Sequence, residues 1–308
     1  MMNMKREIQI IIGLLIFALL FYKIDVEEVL AAFSRVSLPY FGLAAASYFC
    51  YDVFMAFRLH YLLSKLRVRK IKSSFKDSFF AHMGGMIASD VTPARSGYLL
   101  TPYFLRKGGN ASITEGFAAI LAPQGFEFVM KVFGGFLGFL FFISALDSSL
   151  LVPLSVAAAV FLIIGVVTLT ALWTREELSS SLLFKIPVLK RFGSGYNRIK
   201  DLSFEIKSAL PAIFAIYMAC WLLMGLQWFF LAKALGTNLS FVACFLLHPL
   251  ITLLAFVPLT PAGFGIMEGG TAAVFHMLGV NVGVALTFSL LVRINCIIVD
   301  AIGLRMFF

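Results

Sequence analysis

Apolar residues run along this chain in stretches of about twenty, the length that spans a bilayer as helix, separated by short segments rich in lysine and arginine. The first stretch, 8–22, follows a basic start at residues 1–6. Lys23-Ile24-Asp25 comes next where a signal peptide would place small residues, so a retained first span is expected. Val29, Leu30, Phe33 and Val36 recur at helical spacing and predict a short interfacial helix over 26–35. Residues 38–63 form the next span and carry Asp52 and Arg58, neither of which is assigned a role. Lys65, Arg67, Arg69, Lys70, Lys72 and Lys76 then mark a cytoplasmic loop.

Two places depart from this pattern. Residues 256–270 carry two prolines, four glycines and Glu268 inside a long apolar segment. Proline removes a backbone donor and glycine loosens helix, so a break at membrane depth is expected, which only protein or a water-filled cavity tolerates. A related stretch lies upstream, where Thr92-Pro93-Ala94-Arg95-Ser96-Gly97 matches Thr260-Pro261-Ala262-Gly263-Phe264-Gly265. Pro93, Gly97, Pro261, Gly263 and Gly265 are the expected hairpin breaks. Paired broken segments in two halves point to a transporter-type binding site.

Around these breaks the remaining elements fall into place. Basic residues flank 75–105 on both sides, which predicts a hairpin entering from the cytoplasm. Residues 112–146 are read as one long outward span despite Pro123, and 150–173 as the return. The polar region 174–209 holds seven basic residues against four carboxylates. It is expected to be cytoplasmic, with 182–189 lying on the bilayer surface. Residues 210–232 cross outward, 241–278 form a second hairpin from outside, and 282–308 end inside. Pro93 to Pro261 is an offset of 168 and Gln124 to Arg293 one of 169. The two halves, 38–146 and 210–308, are therefore expected to form an inverted-topology repeat. They lie in a single transmembrane domain over 1–308, with 1–37 as N-terminal helix and interfacial segment and 147–209 as connecting span and cytoplasmic loop. The fold class is an all-α polytopic membrane protein with about six spanning helices plus two re-entrant hairpins.

Composition narrows the function classes. Hydrophobic residues make up 61% and charged residues only 13% of the 308, against about a quarter charged in soluble domains. The formal charge of +9 sits in loops beside apolar spans, which fits anionic headgroups and not nucleic acid. Cys50, Cys220, Cys244 and Cys296 lie in apolar spans without CxxC spacing and are read as buried small hydrophobes. His82 and His248 precede the two breaks, but no pattern of three or four converging ligands accompanies them. No metal, cofactor or enzymatic activity is expected, since no Walker loop, GxSxG or dinucleotide fingerprint is present.

Ionisable groups in hydrocarbon are costly and mark function by default. Arg95 sits in a Pro/Gly break where its guanidinium fork suits a phosphate, or else pairs with Asp90 or Glu127. Glu268 follows Gly265 at a helix start, where it is either a transport residue or a partner of the helix dipole. Arg293 needs an inward partner, with Glu268 and Asp300 as candidates. Gln124, Glu127 and Lys131 share one helical face, and Glu127 with Lys131 at i, i+4 forms an ion pair or a substrate contact. Arg95, Glu268, Arg293, Glu127, Gln124 and Asp90 are the candidate substrate-binding residues.

Asp90-Val-Thr-Pro-Ala-Arg95-Ser-Gly97, Arg106-Lys-Gly before Ser112, and Pro258-Leu-Thr-Pro261-Ala-Gly263-Phe-Gly265-Ile-Met-Glu268 with the later Arg293 resemble the flippase-like family. This is the transmembrane region of lysylphosphatidylglycerol synthases in its stand-alone form. The resemblance covers nearly the whole chain and implies movement of lipids or polyprenyl-linked sugars across the membrane. Two positions depart from the family pattern: Tyr98 stands where glutamate is usual, and Gln124-Gly125 where Glu-Arg is usual. That suggests a first-half site rewired through Glu127. Without the soluble aminoacyl-transferase domain, lysine transfer is not expected. The expectation is a multi-pass cell-membrane translocase, both termini cytoplasmic, acting on an anionic lipid or polyprenyl-phosphate-linked substrate by alternating access. An ion- or proton-coupled small-solute transporter, with Glu268 carrying the proton, and an accessory subunit of lipid-linked glycan synthesis are the alternatives.

Overall fold

The computed structural model describes residues 26–66, 74–92, 95–108, 111–142, 148–173, 193–252, 260 and 263–308. The expected first span at 8–22, the breaks at Pro93 and Pro261 and the surface segment 182–189 lie outside these residues. All regular structure described is helical. Helix α1 (Val26–Ser34) occupies the stretch where the periodicity predicted one. The long helix α2 (Leu38–Lys65) starts after the extended Ser37, with a proline in its first turn where no backbone donor is needed. Helix α3 (Phe75–Asp90) is capped by Ser74, whose hydroxyl accepts from the Asp77 N–H at 3.2 Å. A 3₁₀ turn over Ser96–Leu100 and helix α4 (Thr101–Lys107) follow. Then come α5 (Ile113–Phe142), α6 (Ser148–Trp173), α7 (Gly193–Glu205), α8 (Leu210–Ala234), α9 (Phe241–Thr252), α10 (Ile266–Met277) and α11 (Val282–Asp300), with a closing 3₁₀ segment Ala301–Met306.

Among the described residues, four helical stretches are long and apolar enough to cross a membrane: Leu38–Lys65, Ile113–Phe142, Gly195–Ala234 and Val282–Met306. Helix α5 is one continuous helix of 30 residues, about 45 Å at 1.5 Å per residue, more than the length one crossing needs. Pro123 sits inside it without ending it. Its start is a reciprocal cap that the sequence reading passed over. The Ser112 N–H donates to Glu115 Oε2 at 2.6 Å, and the Glu115 N–H donates to the Ser112 hydroxyl at 3.3 Å.

Packing brings distant parts of the chain together. Helices α2 and α8 lie antiparallel over most of their length. The Ser37 N–H donates to the Ala234 carbonyl, Tyr48 clusters with Met224, Met55 with Ile216 and Cys220, and Leu63 with Ile213. Residues 95–107 fold back along α3. A Cβ on Gly97 would overlap the Ala88 backbone, and one on Gly85 the Thr101 hydroxyl, so these glycines set how closely the arms approach. Helix α3 also packs on the 3₁₀ segment after α11, where Gly303 lies against the Met83 backbone. In the other half, α9 packs on α5, with Gly138 against the Leu246 carbonyl.

The described part of the polar region before α8 begins at Gly193. Helix α7 continues through Ile206–Ala209 into α8, and Leu202 and Ile206 are fully buried. The Trp173 indole donates to the Ser203 carbonyl at 3.0 Å. Its apolar side therefore packs on α5 and α6. Basic residues at 198, 200 and 207 masked that side, because their charge dominates the composition of the segment.

Candidate functional site

The second break builds its own charge site. Gly263 and Gly265 adopt φ of 70° and 82°, a left-handed backbone that favours glycine, and so turn the chain into α10. Glu268, on the first turn of α10, is 1% exposed. Its Oε2 accepts the Gly265 N–H at 2.7 Å, closing the helix start. Its Oε1 accepts from Arg293 Nε at 2.9 Å and forms an ion pair with Nη2 at the same distance. The Arg293 guanidinium also lies over the Phe264 ring at 5.2 Å. Glu268 is thus helix-start partner and counter-ion of Arg293 at once.

The first break carries the mirror problem, a cation in the loop. Arg95 has φ 54°, left-handed for a bulky side chain, which costs about 1–3 kcal/mol. Its Nη2 donates to Asp90 Oδ1 at 2.8 Å, and its side chain is 30% exposed. Thr92 holds the turn: its hydroxyl donates to the Ala88 carbonyl and accepts the Gly97 N–H at 2.7 Å.

Between the two lies a network that sequence spacing did not reveal. Glu127 accepts from Lys131 at 2.8 Å and from Arg58, on α2, at 3.4 Å. Arg58 is 2% exposed and Asp52 fully buried. His82 bridges Asp52 Oδ1 at 3.2 Å and the Tyr98 hydroxyl at 3.0 Å. This network has two arms, Asp52–His82–Tyr98 and Arg58–Glu127–Lys131, and draws on four elements. Tyr98 and Glu127, the positions where rewiring was expected, both belong to it.

These groups surround adjoining cavities of about 290 and 100 Å³. Arg95, Glu127 and Lys131 line both, Gln124 lines the larger, and Asp90 and Arg293 line the smaller. Three cations thus face two carboxylates across walls otherwise built from residues such as Met55, Leu121, Trp221 and Ile164. Glu268 is not on the lining and holds Arg293 from behind. Among the described residues no group of three or more His, Cys, Asp or Glu is placed to hold a metal ion. Asp300 does not reach Arg293; it accepts the Tyr48 hydroxyl at 3.0 Å.

Comparison with known proteins gives a consistent family. Residues 7–302 match the family described as the lysylphosphatidylglycerol synthase TM region. A UPF0104 membrane protein of Pyrococcus horikoshii is 23% identical over 94% of this chain and 92% of its own length. Another from Methanothermobacter thermautotrophicus is 22% identical, covering 95% and 91%. A third, from Methanocaldococcus jannaschii, is 24% identical over 68% of this chain and 87% of its own.

Proposed function

The chain belongs to the lysylphosphatidylglycerol synthase TM region family, and on that premise we propose that this multi-pass membrane protein translocates an anionic lipid or polyprenyl-phosphate-linked molecule. The observation that carries the proposal is the charge at the cavity: Asp90 answers Arg95 and Glu268 answers Arg293, while Glu127 alone answers both Lys131 and the buried Arg58. A phosphate headgroup supplies the missing negative charge. The guanidinium of Arg95 meets two phosphate oxygens at once, while the lipid tails stay along the apolar helix faces. Each charge left uncompensated at this depth costs about 2.5–3.5 kcal/mol on insertion scales, so an anion is held there in preference to a neutral headgroup.

Alternating access follows from an inverted repeat of residues 38–146 and 210–308. Adding 168 to Tyr48 and Met55 gives Ile216 and Leu223, and the contacts pair Tyr48 with Met224 and Met55 with Ile216. The α2–α8 interface is thus close to its own image under exchange of the halves. Equivalent helices related by an axis along the membrane normal would run parallel. These run antiparallel, which favours an axis in the membrane plane. The exchange extends to the hairpins, since α3 packs at the end of α11 and α9 along α5. With residues 8–22 as a further span, the chain has six crossings and two re-entrant hairpins entering from opposite faces. Rocking of one half against the other exposes the cavity to each face in turn.

Purified protein in vesicles tests this with fluorescent phosphatidylglycerol and phosphatidylcholine, each quenched from outside. Phosphatidylglycerol is expected to cross about tenfold faster than phosphatidylcholine, and Arg95→Lys to lose about tenfold of that rate while melting normally. Rates equal to protein-free vesicles for every anionic lipid offered, polyprenyl phosphate included, overturn the proposal. Equal rates for both headgroups overturn its charge selectivity.

A further inference from the structure

We propose that Asp90 and Asp300 share one proton, forming a proton-binding site that joins the two halves of the protein and couples proton movement to transport. The site stands on geometry; the coupling rests on the translocase proposal. Asp300 ends α11 and is 0% exposed. Its Oδ2 accepts the Tyr48 hydroxyl, and its Oδ1 has no hydrogen-bond donor. Asp90 ends α3 and lines the smaller cavity. Its Oδ1 accepts from Arg95, and its Oδ2, also buried, has no donor. Val299, next to Asp300, packs in one cluster with Tyr48 and with Met86, one helical turn before Asp90 on the same face, which brings the two carboxyl groups to the same end of the smaller cavity. Each group thus contributes one satisfied and one orphaned oxygen. Two carboxylate oxygens repel unless a proton lies between them, and a single proton satisfies both orphans together.

The charges around the pair point the same way. Asp52 lies one turn after Tyr48 on α2, so a third carboxyl group stands near this end of the cavity. Two have basic partners, Arg95 on Asp90 and His82 on Asp52. Asp300 has Tyr48, a neutral donor. Cys296 is the other titratable neighbour from its own helix. Arg305, just beyond it, lies over the Phe80 ring at 5.1 Å. Full ionisation would leave an uncompensated buried negative charge, and one proton removes it. A metal ion suits the pair less well, because each carboxyl already commits one oxygen to Arg95 or Tyr48 and a hard cation takes six or more oxygen ligands.

The proton is covalently bound to Asp300 Oδ1 or Asp90 Oδ2 and hydrogen-bonded to the other. It exchanges with the cavity through Asp90, the member of the pair on the lining. When it leaves, no bond other than that O–H breaks, and two like charges face each other between α3 and the end of α11. A separation of the halves then follows from repulsion. A phosphate that draws Arg95 away from Asp90 strengthens that repulsion, so proton and headgroup act on one latch.

Infrared difference spectroscopy on the purified protein reads the site without transport. The expected result is a protonated-carboxyl band that titrates with pH in the native protein and disappears in both Asp300→Asn and Asp90→Asn. Asp300→Asn places an amide N–H where the shared proton lay, so it is expected to fold and to mimic the proton-bound state. In vesicles, native transport should change at least threefold with an imposed pH gradient, and Asp300→Asn transport should be indifferent to it. A band that titrates while no lipid moves supports the site and overturns the translocase proposal. Lipid movement by a protein with no such band, or with a band unchanged in both variants, overturns the shared proton and leaves the translocase standing. Carboxylate bands that respond to sodium and not to protons also overturn it. A gradient response identical in Asp300→Asn overturns the coupling alone.

Discussion

Arg293 donates a hydrogen bond from Nε to one oxygen of Glu268 and holds Nη2 at 2.9 Å from the same oxygen, while the other oxygen of that carboxylate takes the Gly265 N–H. Both oxygens are therefore in use, and the start of α10 is tied to the middle of α11 through one side chain. Arg293→Ala leaves Glu268 buried with a single partner, and removing one member of a buried pair costs about 3–5 kcal/mol. Glu268→Gln keeps the shape but turns an amide N–H toward either Gly265 or Arg293, for a smaller loss of about 1–3 kcal/mol. The double variant is expected to melt above Arg293→Ala alone and to transport no lipid. Thermal unfolding in detergent checks the order, and a double variant melting at or below Arg293→Ala would show that the pair does not carry this energy.

Glu127 supports two cations, Arg58 and Lys131, and Arg58 lies almost wholly inside the protein. Glu127→Ala brings two like charges together without a counter-ion. It is expected to be the most destabilising single carboxylate removal in the cavity, by about 3–5 kcal/mol. Adding Lys131→Met relieves one charge and should recover part of the loss. Melting temperatures of the two variants decide this, and no recovery in the double variant counts against the shared role.

Gly303 meets the Met83 backbone, and backbone cannot move aside as a side-chain tip does. Gly303→Ala is expected to push the end of α11 from α3 and cost about 1–3 kcal/mol or more, as overpacking does. Because that contact sets how the end of α11, where Asp300 sits, lies on α3, the infrared band of the proposed shared proton should weaken with it. Gly42, with open space around it, is the control: Gly42→Ala should leave melting unchanged or raise it slightly.

The helical membrane class, the long α5 and the Glu268–Arg293 pair were legible because each leaves a local mark. Apolar length, glycine at a turn and a charge in hydrocarbon are all visible along the chain. Pairings between helices were not. Asp52 and Arg58 were set aside because six residues separate their faces on one helix, yet each finds its partner on another: His82 on α3 and Glu127 on α5. Asp300 shares a face with Arg293 and still turns to Tyr48, since tertiary packing and not helical spacing chooses its neighbour. The cost of burying a charge was the signal available at all three positions. It applied to Asp52 and Arg58 as fully as to Glu268.

Packing places Ser148 and Thr237 at one end of the helical bundle. Thr237 follows α8, whose Ala234 carbonyl accepts the Ser37 N–H at the start of α2. Ser148 follows α5, and Phe142 near the end of that helix packs in the same cluster as Ala44, Trp228 and Leu231. The other end of α2, at Lys65, adjoins the basic segment that the positive-inside rule assigns to the cytoplasm. Both positions are therefore expected outside. In a background with all four native cysteines replaced, Ser148→Cys and Thr237→Cys should react with a membrane-impermeant maleimide on intact cells, and a cysteine at Ser74 only after permeabilisation. Reaction of Ser148→Cys from the cytoplasm alone would put two crossings between Ser112 and Ser148. The repeat would then be parallel, and the opposed hairpins on which alternating access depends would be lost.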